Sequence, residues 1–183
     1  CAQKWADLSE GGHGAALINE GKYGYDAYGD TLRLTLLRSP KAPDPTCDMG
    51  QHRFTYTLLP HFDQIQHSEV VAAAYAQNSP VRVARLKPAK GLKAQLLPRF
   101  VACDNRNIVI EAVKRAEDSE DTLVRLYECH NSRGTAVLQC AMPVKKAWLV
   151  NMDETKVKAL EVVDGVVPFE YKPFEILSIL LET

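Results

Sequence analysis

Cys47, Asp48, His52, His61 and His67 are the side chains of this sequence that come nearest to a metal-binding set. Their separations of 1, 4, 9 and 6 residues fit neither one face of a helix nor a zinc-finger spacing, so the reading is against a metal site. Asp44 and Asp48 could serve acid–base chemistry, but they share one loop and are poorly placed to flank a sugar from opposite sides. No GxSxG, HExxH or GxGxxG pattern occurs, and Glu10–Gly14, "EGGHG", reads as a tight turn. What remains is a charged, proline-rich stretch, "LLRSPKAPDPTCDMGQHRFTY", carrying Arg38, Lys41, Asp44, Asp48 and His52 between two strand-like runs. It is longer than an ordinary hairpin connection, and ordered loops of that kind are often functional.

The elements that must hold this loop read as strands. In "TLRLTLL", Leu32, Leu34 and Leu36 alternate with Thr31, Arg33 and Thr35, the period of a half-buried strand. "HRFTYTLL" repeats it, with Phe54, Tyr56 and Leu58 on one face. "IVIEAVKRA" and "LVRLYECH" predict a hairpin across the acidic turn 117–121. "NSRG" turns the chain into "TAVLQCAM", and Asp164-Gly165 predicts a hairpin within "LEVVDGVVPFEY". "PFEILSILLE" predicts a last strand. One helix of one or two turns is expected in "DQIQHSEVVAAAYAQN", stopped by Asn78 and Pro80. Some ten strands without βαβ alternation predict an all-β fold, an antiparallel β-sandwich with at most one short helix.

Composition limits the function classes. The 183 residues are 46% hydrophobic and 25% charged, with a net charge of −1, which argues against nucleic-acid or anionic-membrane binding. The basic run of Arg82, Arg85, Lys87, Lys90, Lys93 and Arg99 lacks aromatic platforms and reads as a solvated excursion. No apolar run approaches the ~20 residues of a membrane span. Five widely spaced cysteines without CxxC fit free thiols in a reducing compartment. The start at Cys1, with neither initiator Met nor signal peptide, reads as a piece of a longer chain.

"KWADLSEGGHGAALINEGKYGYDAYGDTLRLTLLRSPKAPDPTCDMGQHRFTYTLLPH" resembles the C-terminal region of glycoside hydrolase family 38 α-mannosidases, nearest to their cytosolic and vacuolar branch. The likeness continues through "AAAYAQNSP", "IVIEAVKRAEDSEDTLVRLYECHNSRG" and "PFEILSILL". His13 in place of a Tyr, and "INEGKYGY" in place of "LNDCKYGY", depart from the pattern.

The resemblance implies a β-sandwich region, supersandwich-like and galactose-mutarotase-like, spanning 1–183, with a small terminal β subdomain from about 143–183 left open. It implies retaining hydrolysis of terminal α-mannose by an N-terminal domain holding the carboxylates and zinc or another divalent metal. No catalytic and no metal residue is then expected in this chain. The expected partners are that catalytic domain and a mannose-containing oligosaccharide, with homo-oligomerisation open and a cytoplasmic location favoured over a vacuolar or lysosomal one. The loop residues Arg38, Lys41, Asp44, Asp48 and His52 are expected to face the substrate cleft, with Arg38 paired to Asp44 or Asp48. Lys22, Tyr23 and Tyr25 are expected to contact sugar or a neighbouring domain. The alternative is an autonomous carbohydrate-binding module, which requires exposed aromatic rings.

Overall fold

The computed structural model describes residues 1–85 and 99–183. These hold thirteen β-strands, one 3-10 turn and one α-helix, and every strand pairing is antiparallel. The chain forms two compact units, Cys1–Pro88 and Ala89–Thr183. Lys87, Lys90 and Lys93 of the basic run lie outside the described residues.

In the first unit, β1 (Trp5–Glu10), β2 (His13–Asn19) and β5 (Tyr56–Phe62) make a three-stranded sheet in the order β1-β2-β5. Gly11 and Gly12 close the β1–β2 hairpin, the tight turn expected there. β3 (Tyr25–Tyr28) and β4 (Thr31–Leu34) form a separate hairpin. The helix α1 (Val70–Asn78) buries Val70, Val71 and Ala74 and packs on β1 and β2. Its Ala-rich run favours helix, and Pro80 cannot continue it.

Register assigns the sheet faces. Ala16 and Ile18, fully buried, share a face with Leu59 and His61. Leu8, Leu17, Tyr56 and Leu58 occupy the other face. The Phe54–Tyr56–Leu58 row expected to be buried is therefore exposed at Tyr56 and Leu58, and the covered row of β5 is Leu59 and His61.

The second unit is a β-sandwich. One sheet runs β11 (Lys156–Leu160), β10 (Lys146–Val150), β13 (Ile176–Glu182), β8 (Thr122–Glu128), β7 (Ile108–Arg115). The other runs β12 (Val166–Tyr171), β9 (Gly134–Cys140), β6 (Val101–Cys103). Val124, Leu126, Leu177, Ile179 and Leu181 from the first meet Ala136, Leu138, Val167 and Phe169 from the second. Period-two alternation places these side chains in one layer. Residues 143–183 do not stand apart, because β13 is hydrogen-bonded between β8 and β10.

The β7–β8 hairpin forms as its sequence predicts. Asp164 and Gly165 take positive φ of 50° and 78°, and Val163 and Val166 exchange both backbone hydrogen bonds. That turn does not join a hairpin, however. β11 pairs with β10 and β12 with β9, so the turn carries the chain from one sheet to the other.

Candidate functional site: the loop between β4 and β5

Residues 35–55 connect β4 to β5, and both ends of the loop are anchored on the segment after β2. Thr35 N donates to Gly24 O at 2.7 Å, and Glu20 N donates to Thr55 O at 3.1 Å. The Lys22 ammonium sits 5.2 Å from the centre of the Phe54 ring, a cation–π contact that ties the loop's exit to the β2–β3 connection.

Inside the loop, the polar groups close on one another. The Asp44 carboxylate accepts from both N and Oγ1 of Thr46, each at 2.9 Å. The Thr46 amide and hydroxyl hold the Asp44 carboxyl below its usual range. Asp48 Oδ2 accepts from Ser39 N at 2.7 Å, and the Asp48 carbonyl accepts from His52 Nε2 at 2.9 Å. Cys47 Sγ lies 3.6 Å from the Pro40 carbonyl that it donates to. These bonds staple 39–40 to 47–48 and fix the loop's outline.

The expected Arg38 pairing is not formed. Arg38 and Lys41 are exposed and make no ion pair among the described residues. Nearby backbone amides and the Thr46 hydroxyl occupy the two carboxylates instead, at no cost in ordering a long side chain. The loop thus spends its acids internally and presents its cations outward.

The second group divides. Tyr25 is a brace: its hydroxyl donates to Leu17 O at 2.9 Å and accepts from the side chain of Asn19. Burial pushes its phenol upward. Asn19, fully buried, also accepts from Lys22 N at 2.5 Å, while its carbonyl accepts from Asn78 Nδ2 at 2.9 Å. Tyr23 stays exposed.

The histidines that suggested a metal serve separate partners. His52 is on Asp48, His67 Nδ1 donates to Asp63 at 3.0 Å, and His61 Nε2 donates to Asp7 at 2.8 Å. Among the described residues, no three His, Cys, Asp or Glu side chains come together to hold a metal ion. No helix among them is long and apolar enough to cross a membrane. All five cysteines are free.

Two polar centres had no reading from sequence alone. Asp7 and His61 are 54 residues apart, and only strand register brings them together. Glu128, at the end of β8, accepts from His130 N, Ser132 N, Ser132 Oγ and Phe174 N at 2.8–3.1 Å. Burial drives its carboxyl upward, yet these bonds outweigh burial and hold it below the usual glutamate value. A buried glutamate in an "YECH" run carries no local signal of such partners.

The comparisons with known proteins cover the same chain. The glycosyl hydrolases family 38 C-terminal domain matches residues 1–46. The glycosyl hydrolases family 38 C-terminal beta sandwich domain matches residues 107–179. Alpha-mannosidase 2C1 of Homo sapiens is 39% identical over 98% of this chain, which spans 18% of that relative. Alpha-mannosidase G of Dictyostelium discoideum is 40% identical over 68% of the chain, which spans 12% of it. The alpha-mannosidase of Saccharomyces cerevisiae is 30% identical over 99% of the chain and is again spanned to 18%. Among solved structures, an alpha-mannosidase from Enterococcus faecalis V583 aligns with a TM-score of 0.74 at 23% identity, covering 98% of this chain and 21% of that one. At that identity the likeness concerns the fold.

Proposed function

With both C-terminal domain types of glycoside hydrolase family 38 in one chain, we propose that this protein is the C-terminal β region of a retaining α-mannosidase. The full polypeptide hydrolyses terminal α-D-mannose residues of oligosaccharides. The observation that carries this is the 39% identity to a human alpha-mannosidase along 98% of the chain. Its nucleophile, its acid–base catalyst and its zinc or other divalent metal reside in an N-terminal domain. That domain is the partner against which this chain works.

The role of this chain is to supply a preorganised wall of the substrate cleft. The stapled 35–55 loop fits that role, because a loop already fixed loses little entropy when substrate or a neighbouring domain meets it. Its free groups, Arg38 and Lys41, are donors suited to sugar hydroxyls or to carboxylates across an interface. The location that goes with this reading is cytoplasmic, which the free thiols support.

A nitrophenyl α-mannoside assay tests the proposal. The full-length polypeptide is expected to turn over the substrate and to lose activity to a chelator. The 183-residue chain alone is expected to be silent with added zinc or cobalt. Turnover that co-purifies with the short chain overturns the division of labour.

A further inference from the structure

Lys158 stands on the core face of an edge strand. Register sets it opposite Leu149, with Leu160 opposite Ala147 and Leu149 opposite Ile179. All five therefore share the face that the five-stranded sheet turns towards its partner sheet. Lys158 is nevertheless exposed and makes no ion pair among the described residues. A cation on a core face needs water or an anion beside it.

The opening lies at the flank of the sandwich. β11 and β12 are the outermost strands of their sheets and touch each other. Between the sheets at that flank is a cleft of about 490 Å³, a size typical of small-molecule sites. Its apolar floor is Leu149, Leu160, Phe169 and Leu177. Gly134 and Tyr171, opposite each other on β9 and β12, also line it, and Arg133 and Lys172 flank that pair. Both cations are exposed and without an ion pair among the described residues.

The acids of the cleft are turned away or engaged. Alternation along β12 puts Glu170 on the outer face, between the inward Phe169 and Tyr171. Glu175 Oε2 accepts from Lys172 N at 2.8 Å. The Tyr171 hydroxyl accepts from Asn105 Nδ2 at 3.1 Å and Asn107 Nδ2 at 3.2 Å, and its own proton has no acceptor among the described residues. The polar groups left for an occupant are donors and cations. Another strand is a poor occupant, because the β11 edge carries Lys156 and Lys158 and Pro168 of β12 has no N–H to offer.

We infer that this cleft binds a small amphipathic anion. Its apolar body lies on the leucine floor, and its carboxylate or phosphate ester takes charge-assisted bonds from Lys158, Arg133 and Lys172. The site lies wholly within the second unit and does not rest on the mannosidase reading.

Octanoate is the probe, titrated by calorimetry into the full-length polypeptide. Saturable binding is expected, with slower amide exchange at 133–135 and 169–172. Acetate lacks the apolar body and octylammonium lacks the anion, so neither should reproduce this. Octyl phosphate distinguishes the head groups: tighter binding than octanoate assigns a phosphate ester, and weaker binding a carboxylate. Lys158→Glu, at an exposed position, is expected to weaken octanoate about tenfold or more with the melting temperature unchanged. Leu160→Trp, which fills the floor, is expected to weaken it similarly. Lys145→Glu, exposed and away from the cleft, should bind as wild type does. No octanoate binding, equal binding of octylammonium, or wild-type affinity in Lys158→Glu overturns the inference. So does binding that leaves 133–135 and 169–172 unprotected.

Discussion

His61 of β5 reaches across β2 to bond Asp7 of β1, its Nε2 2.8 Å from Oδ1 with both side chains more than nine-tenths buried. The middle strand makes room by carrying Gly14 at that point. A Cβ there would lie 2.4 Å from Ser9 Cβ and 2.7 Å from His61 Nε2. Gly14→Ala therefore forces the imidazole off Asp7 or spreads the strands, at a cost of about 1–3 kcal/mol. Asp7→Ala leaves a buried imidazole N–H without its acceptor, costing about 1–3 kcal/mol. Urea unfolding of the variants measures both, and wild-type midpoints for the two would show that the pair bears no weight in the first unit.

Glu128 sets an acid limit on the second unit. Its folded carboxyl is held below the ordinary value of 4.5, so it contributes stability above that value. The contribution is lost as pH falls through the folded value. Glu128→Gln puts an NH₂ against backbone amide donors and is expected to cost about 1–3 kcal/mol near neutral pH. The variant's melting temperature should also fall less steeply than wild type's below pH 4.5. Parallel pH curves would assign the acid sensitivity elsewhere.

The five thiols should separate into two classes. Cys1 and Cys47 are exposed. Burial pushes the thiols of Cys103 and Cys140 upward and that of Cys129 to about 11, which leaves little thiolate at neutral pH. Titration with a thiol reagent at pH near 8 is expected to find the first two quickly and the other three only in denaturant. Fast reaction of Cys129 would contradict its burial.

Local periodicity made most strands legible, because alternation is written within each segment. The 117–121 turn and the helix stop at Pro80 are equally local. Sheet membership was not legible. Asp164-Gly165 has the backbone of a hairpin turn, yet here it makes a crossover, since turn chemistry fixes the reversal and not the strands that pair beyond it. Gly165 is held against β9, where a Cβ would meet the Cys140 carbonyl at 2.9 Å. The face of β5 was misread for a related reason. Its Phe54–Tyr56–Leu58 row is the more apolar one, but the covered row contains His61, and a buried histidine becomes acceptable only once Asp7 is beside it. In the loop, the residue identities were legible through resemblance to a family, but their partners were not. Backbone amides compete for carboxylates, and no sequence pattern shows which ones a turn will present.

Arg38 and Asp48 can now be assigned opposite roles within one loop. Asp48 binds Ser39 N and, through its carbonyl, His52, so it belongs to the staple. Arg38 is one residue from Ser39 yet bonds nothing among the described residues, so its removal leaves the staple intact. In the full-length polypeptide, Arg38→Ala should therefore leave the melting temperature unchanged. If its guanidinium meets substrate or a cleft carboxylate, a charge-assisted bond of about 1.5–3 kcal/mol is lost. kcat/KM then falls roughly 10- to 150-fold where that bond is made in the transition state. Arg38→Lys keeps the charge but not the planar fork, and should recover only part of the loss. Asp48→Ala frees the Ser39 amide and loosens the loop, so kcat/KM should fall together with protection of the loop amides. Arg38→Ala with wild-type kinetics would make this side chain a solvated bystander and reduce the loop to a packing element.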